Sequence, residues 1–132
     1  MFETLNIKTS SRVEMVDITE RIANLITRHN INSGICCLFV PHTTAGITIN
    51  ENADSSVQRD INSKLSNLIP AGDNYSHLEG NSDSHIKSTV VGSSLNIIID
   101  KGRPVLGTWQ GIYFCEFDGP RNRNLYIKLI EG

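Results

Sequence analysis

Hydrophobic and polar residues alternate along several stretches of this chain, and a period of two is typical of β-strands with one buried face. The predicted strands cover residues 5–9, 34–40, 44–50, 95–99, 105–108, 111–117 and 125–130. Residues 34–40 are apolar at almost every position, which predicts a central strand buried on both faces. Residues 118–124 separate the last two strands, and we interpret them as a β-hairpin connection slightly longer than usual.

A helical spacing of apolar residues first appears after residue 17. This helix begins at Asp17, which pairs with Glu20 in a capping-box pattern. His29 stands at the end of the helix, where a cation is favoured by the helix dipole, so we interpret it as a structural residue. The apolar face of the helix is expected to contain Ile18, Ile22, Leu25 and Ile26.

Two more helices are predicted in the middle of the chain. One begins at the capping-box pair Ser55 and Gln58 and continues to Pro70. The other is short, covers residues 83–91, and follows a polar loop over residues 71–81. Because helices interrupt the first half and strands dominate the second, we expect an α+β fold with a mostly antiparallel sheet or sandwich. Two to three helices complete a single compact domain over residues 1–132.

The composition excludes several classes of protein. A formal net charge of −2 provides no basic field that would attract nucleic acid. The three cysteines, Cys36, Cys37 and Cys115, form an odd set that argues against a disulfide framework and favours a reducing, cytoplasmic location. Cys36 and Cys37 lie in an apolar run and are expected to be buried thiols. No signal-like segment and no apolar run of about 18 residues is present, so we expect neither export nor membrane insertion.

Three of the four histidines lie at junctions between predicted elements. His42 follows a strand directly after Pro41, His77 lies in the long polar loop, and His85 lies near the start of the short helix. Imidazole transfers protons near neutral pH and is a common metal ligand. The spacing of these histidines matches no known zinc signature, so the pattern indicates a site without fixing its chemistry.

The segment Asp118-Gly-Pro-Arg-Asn-Arg123 is the best candidate for binding an anion. An arginine grips phosphate with two parallel N–H groups, and glycine permits close approach of the backbone. Arg121 is the first candidate and Arg123 the second, although a plain polar turn uses the same residue types. Glu116 precedes this segment in an apolar strand, and if it faces inward it needs a cationic partner.

Two other side chains are candidates on more general grounds. Glu51 ends a predicted strand, where a carboxylate can bind a metal or orient an imidazole. Trp109 is the only tryptophan, and it can either form the floor of a pocket for a flat ring or contact another subunit.

Taken together, these segments resemble the YjbQ family, also called the secondary thiamine-phosphate synthase family. The resemblance runs over nearly the whole chain. The motifs that carry it are His42-Thr43-Thr44, Asn50-Glu51, Asp60, His77, Asn81 with His85, Gly92, Gly107-Thr108-Trp109-Gln110, and Glu116 with Asp118-Gly119-Pro120-Arg121.

This resemblance implies a compact α+β subunit that forms a homotrimer, with the histidines gathered in a pocket near the subunit boundary. It also implies a weak thiamine-phosphate synthase activity, which joins a pyrimidine carried on a pyrophosphate to a thiazole phosphate and releases pyrophosphate. The candidate catalytic residues are His42, His77, His85 and Glu51. The candidate substrate- or anion-binding residues are Arg121, Asn81, Thr43, Thr44 and Trp109.

Three functions remain open at this stage. The first is a transferase of the family's named type. The second is a metal-dependent hydrolase or lyase in which His42, His77 and His85 bind a divalent ion, either zinc or magnesium. The third is a non-catalytic trimer that binds a phosphorylated metabolite.

Overall fold

Eight strands and three helices make up the computed structural model, which describes residues 1–132. The strands are β1 Phe2–Lys8, β2 Glu14–Asp17, β3 Gly34–Phe39, β4 Ala45–Glu51, β5 Ser94–Asp100, β6 Arg103–Pro104, β7 Gln110–Glu116 and β8 Asn122–Glu131. The helices are α1 Thr19–Arg28, α2 Ser56–Leu68 and α3 Ser82–Val91. No helix is long and apolar enough to cross a bilayer.

The strands form two sheets, with the order β1-β8-β3-β5-β6 in one and β2-β7-β4 in the other. Every strand pair is antiparallel. The main core contains 18 buried residues, most of which come from the two sheets and from α1. The expected α+β fold with an antiparallel sheet arrangement and a single compact unit is therefore confirmed.

The first helix shows why the apolar spacing was informative. Ile22, Leu25 and Ile26 are buried, as the helical period required, and Ile18 just before the helix is buried as well. Each such side chain stabilises the fold by about 1.5–3 kcal/mol relative to an exposed position. The helix begins at Thr19 rather than Asp17, because residues 14–17 form the unexpected strand β2.

The predicted hairpin between the last two long strands is wrong. β7 pairs with β2 and β4, whereas β8 pairs with β1 and β3 in the other sheet. The chain between them crosses from one sheet to the other, and the crossing is tight at Gly119. A Cβ atom there would lie 2.3 Å from the backbone oxygen of Ser11, so no larger residue fits without a shift of the backbone.

The segment before β7 also differs from the prediction. Residues 105–108 do not form the predicted strand, and a short strand lies instead just before them, at Arg103–Pro104. Val105 still donates its backbone N–H to the backbone oxygen of Ile98 at 2.8 Å. The apolar alternation over residues 105–108 therefore belongs to a segment that contacts β5 but does not form a strand of the sheet.

The central strand β3 has the expected place in the sheet but only one covered face. Cys36 and Leu38 are buried, whereas Ile35 and Phe39 are 43% and 48% exposed. Cys37 is half-buried, so the expectation of two buried thiols holds for Cys36 alone. Burial raises the pKa of the Cys36 thiol to about 12, which makes it unreactive at neutral pH.

The helix α2 is present at its expected position, but no residue of it is buried. Its predicted capping box is wrong, because the Ser55 side chain does not cap the helix. Gln58 instead donates to the backbone oxygen of Glu51. Leu68, the last residue of α2, is 66% exposed, which leaves this end of the helix without an apolar partner in the chain.

Candidate active site

An open cleft of about 670 Å³ lies beside the end of β3, the loop over residues 71–81 and the start of α3. Its lining brings together three of the four histidines and most of the polar residues singled out in the sequence. The expected site residues that line it are His42, Thr43, Thr44, His77, Asn81, His85 and Arg121.

His77 and His85 form a pair within this cleft. Their ring centroids are 5.4 Å apart and the ring planes are nearly perpendicular, with one edge directed at the other face. His85 lies in the first half of α3, and His77 lies on the loop, which the Tyr75 hydroxyl ties back by donating to the Pro70 oxygen at 2.6 Å. Two imidazoles from separate segments of the chain are thereby brought into edge-to-face contact.

Arg121 is held at the rim of the cleft by Asp118. Its Nε donates to the Asp118 backbone oxygen at 2.7 Å, and its Nη2 donates to Asp118 Oδ2 at 3.0 Å. The Asn81 amide donates to the same carboxylate oxygen at 2.9 Å. Because the Arg121 side chain is 53% exposed, its remaining N–H groups can meet an anion in the cleft.

A buried network lies behind the cleft and fixes Thr44. Arg123 donates to both carboxylate oxygens of Glu116 and to Thr44 Oγ1, the last at 2.8 Å. Thr9 also donates to Glu116, at 2.7 Å. The expectation that an inward-facing Glu116 needs a cation is confirmed. Arg123, expected as a second anion ligand, is instead occupied by this network and only 4% exposed.

This network controls the ionisation of Glu116. Burial by itself would raise the pKa of the carboxyl, but the hydrogen bonds from Arg123 and Thr9 outweigh it and hold the pKa below its ordinary value of 4.5. The native state therefore keeps Glu116 ionised at a pH where the unfolded chain already takes up a proton.

The free energy of unfolding should consequently fall in acid. The contribution of Glu116 is fully present above pH 4.5 and is lost as the pH drops through the lowered native pKa. Urea unfolding of the parent chain and of Glu116→Gln between pH 7 and pH 3 measures it. We expect a shallower acid slope in the variant, and equal slopes would contradict this assignment.

The helix that carries His85 is anchored by residues that the sequence reading did not single out. Asp83 is completely buried and accepts from both terminal nitrogens of Arg12, at 3.2 and 3.1 Å, and from Lys87 Nζ at 3.3 Å. Ser88 donates to the Thr43 backbone oxygen at 2.6 Å, which ties the helix to the segment after His42. The spacing of four between Asp83 and Lys87 was a visible signal for a helical ion pair.

A three-histidine metal site does not form in this chain. No three His, Cys, Asp or Glu side chains lie close enough together to hold a metal ion. His42 Nε2 accepts the backbone N–H of Asn124 at 2.9 Å, so the lone pair of that nitrogen is already used. Within a single chain, the three histidines therefore do not offer the donor set expected for zinc or magnesium.

Glu51 and Trp109 lie away from the cleft. β4 begins next to the cleft at Ala45 and ends at Glu51, six residues on, which is about 20 Å along an extended strand. Glu51 faces Gln110 in the neighbouring strand, and Trp109 is 63% exposed just before it. Within one chain, the expectation that these two side chains join the histidines is not met.

Comparison with known proteins agrees with this architecture. A family model described as UPF0047 protein YjbQ-like matches residues 3–132. A UPF0047 protein of Methanocaldococcus jannaschii is 60% identical over 124 residues, which cover 94% of this chain and 90% of that protein. The UPF0047 protein YugU of Bacillus subtilis is 50% identical over 131 residues, covering 98% of this chain and 99% of YugU.

Solved structures share the same fold. A YjbQ/UPF0047 protein from Clostridium acetobutylicum, described as uncharacterised, has a TM-score of 0.94 and 48% identity, covering 97% of this chain and 99% of its own. A protein of unknown function from Sulfolobus solfataricus has a TM-score of 0.94 at 30% identity, covering 100% and 97%. The resemblance seen in the motifs is confirmed, and the chain belongs to the YjbQ-like UPF0047 family.

Proposed function

We propose that this chain is a transferase acting on phosphorylated substrates, similar to a secondary thiamine-phosphate synthase. The observation that carries the proposal is the convergence of His42, His77, His85 and Arg121 on one open cleft. Such a cleft combines groups that transfer protons with a cation that meets a phosphate.

In the proposed reaction, the thiazole nitrogen attacks the methylene carbon of the pyrimidine and forms a C–N bond. The C–O bond to pyrophosphate breaks, and pyrophosphate leaves with the electron pair. Negative charge grows on the leaving group, and Arg121 at the rim stabilises it. His77 and His85 donate hydrogen bonds or a proton to the same oxygens, since both line the cleft.

The direct test is product formation by the purified protein. The protein is incubated with the pyrimidine pyrophosphate and the thiazole phosphate, and thiamine phosphate and pyrophosphate are both quantified. Equal amounts of the two products support the proposal. Binding of the substrates without any product would support instead the non-catalytic phosphometabolite-binding protein.

Replacing Arg121 by lysine should weaken binding of the phosphorylated substrate while keeping the positive charge. The guanidinium fork is lost, and so is its hydrogen bond to Asp118 that orients it. We expect a loss of about 1.5–3 kcal/mol, as for a hydrogen bond to a charged group. This corresponds to an increase in Kd on the order of 10- to 100-fold, measured by calorimetry with the thiazole phosphate.

The matched control for this measurement is Arg103→Lys, which changes an exposed arginine outside the cleft. Its affinity should equal that of the parent protein. Unchanged affinity in Arg121→Lys itself would remove Arg121 from the binding site.

We also propose that the chain assembles as a homotrimer in the cytoplasm. The outer face of the five-stranded sheet carries a row of exposed isoleucines, because Ile35 on β3 lies opposite both Ile98 on β5 and Ile130 on β8. Contiguous apolar surface of this kind is typical of subunit interfaces. The three free cysteines are compatible with a reducing compartment.

Sedimentation equilibrium at micromolar concentration should give the mass of three chains. Ile35→Glu places a charge on this face and should shift the distribution towards the monomer. Thr27→Glu, a charge on the exposed side of α1, should leave the trimer intact. A parent protein that sediments as a monomer would overturn the proposed assembly.

The metal-dependent hydrolase or lyase has less support. Its three histidines do converge, but they do not form a metal-binding group, and neither zinc nor magnesium finds its preferred donor set here. We therefore assign no step of the proposed reaction to a divalent ion. Titration of metal-free protein with zinc tests the point, and tight binding at the cleft would restore this alternative.

A further inference from the structure

The contact between His42 and Asn124 supplies a hydrogen bond just beyond the point where the backbone pairing of β3 with β8 ends. β3 ends at Phe39, which lies opposite Tyr126 of β8. Continuing this antiparallel register would place Pro41 opposite Asn124. The chain turns away instead, and the Asn124 N–H donates to the His42 ring at Nε2, at 2.9 Å. The imidazole thus replaces the backbone acceptor that the missing strand residue would have supplied.

We infer that this contact fixes His42 as the tautomer that carries its proton on Nδ1, and that His42 acts in the cleft as a neutral hydrogen-bond donor to an anionic ligand. A neutral imidazole has one donor nitrogen and one acceptor nitrogen. An amide N–H can only donate, so Nε2 is the acceptor and the proton resides on Nδ1. No protein group accepts from Nδ1, and the ring lines the cleft.

The Asn124 contact, burial and nearby positive charges all disfavour protonation of the His42 ring. An imidazolium would direct an N–H at the Asn124 N–H, and the hydrogen bond between them would be lost. Burial lowers the pKa of His42, and the positive charges of Arg123 and Arg121 lower it further, although Glu116 acts in the opposite sense. In the free cleft the neutral ring is therefore favoured over the imidazolium.

The same contact gives His42 a different role from that of the other two histidines. A metal ligand must offer a free lone pair, and the only lone pair of the neutral ring is engaged by Asn124. A general base acting through Nε2 is excluded for the same reason. His77 and His85 remain the residues that can exchange protons with a ligand, whereas His42 contributes to binding it. In this division of roles, only the identity of the ligand rests on the proposed function.

The test is a long-range ¹H–¹⁵N correlation spectrum of the full-length protein labelled with ¹⁵N-histidine. The four histidines are assigned by comparison with single His→Gln variants at positions 29, 42, 77 and 85. We expect His42 to show an unprotonated Nε2 and a protonated Nδ1, and to keep this pattern from pH 8 down to pH 6. If His42→Gln does not fold, the other three variants still identify the His42 signals by elimination.

Addition of inorganic phosphate then tests the ligand contact. We expect the Nδ1 and its proton to shift on titration while Nε2 stays unprotonated. Addition of zinc should leave the His42 pattern unchanged. A proton on Nε2, a mixture of tautomers, or zinc bound to His42 would overturn the inference. If the tautomer is as expected but phosphate causes no shift, the anion-binding role fails, whereas a lack of thiamine-phosphate turnover alone would leave it intact.

Discussion

Asp83→Ala should destabilise the protein by about 3–5 kcal/mol, the cost of leaving a buried charge without its partner. Lys87 is 2% exposed, and Asp83 is the only group with which its ammonium forms an ion pair. Arg12 also loses its bidentate partner, but its half-exposed side chain can be solvated by water. Urea unfolding monitored by circular dichroism gives the change in the free energy of unfolding.

Two further variants make this result specific. The double variant Asp83→Ala with Lys87→Met removes both buried charges and should recover much of the lost stability, because an apolar replacement of an ion pair is often neutral. Glu3→Ala breaks an ion pair with Arg28 and a hydrogen bond to His29 near the surface, where solvent screens the charges, and should cost far less. If Asp83→Ala costs no more than Glu3→Ala, the ion pair does not anchor α3.

His85→Gln should reduce thiamine-phosphate formation by about 10²–10⁴-fold, the range typical of a lost general acid or base. His85 lines the cleft on an anchored helix and its ring faces that of His77. Its side chain forms no hydrogen bond within the protein, so the melting temperature should change little. The measurement is kcat with both substrates saturating, together with thermal unfolding of the same samples.

The chain offers a matched control in its fourth histidine. His29 lies at the end of α1, where its ring bonds to Glu3 at 2.8 Å, outside the cleft. His29→Gln should retain full turnover. Retained turnover in His85→Gln would remove His85 from the mechanism, and a large drop in its melting temperature would show that its role is structural.

Local periodicity was enough to predict most elements of the fold. The alternation along β4 and the 3.6-residue stripe of α1 both reflect one buried face, so they could be identified without knowing their partners. The connection between β7 and β8 could not be predicted in this way. A polar segment with Gly119 and Pro120 has the composition of a hairpin whether or not the two strands pair, and here they enter different sheets.

In the candidate site, too, the positions of single residues could be predicted from the sequence, whereas contacts between residues far apart in the chain could not. The junction positions of His42, His77 and His85 were visible in the sequence, and the cleft contains all three. The partner of Asp83 in the β1–β2 loop, Arg12, lies 71 positions away and left no local signal. Arg123 looked like a free cation next to Arg121, because nothing in the sequence showed that Glu116 and Thr44 would use it.

The central claim is that the cleft beside His42, His77 and His85 binds a phosphorylated substrate. The most direct measurement is a crystal structure of the protein soaked with pyrophosphate, refined with anomalous data for any bound metal. The account predicts phosphate density within hydrogen-bond distance of Arg121 and of at least one cleft histidine. Pyrophosphate bound elsewhere, with the cleft open to solvent in the lattice and empty, would contradict it.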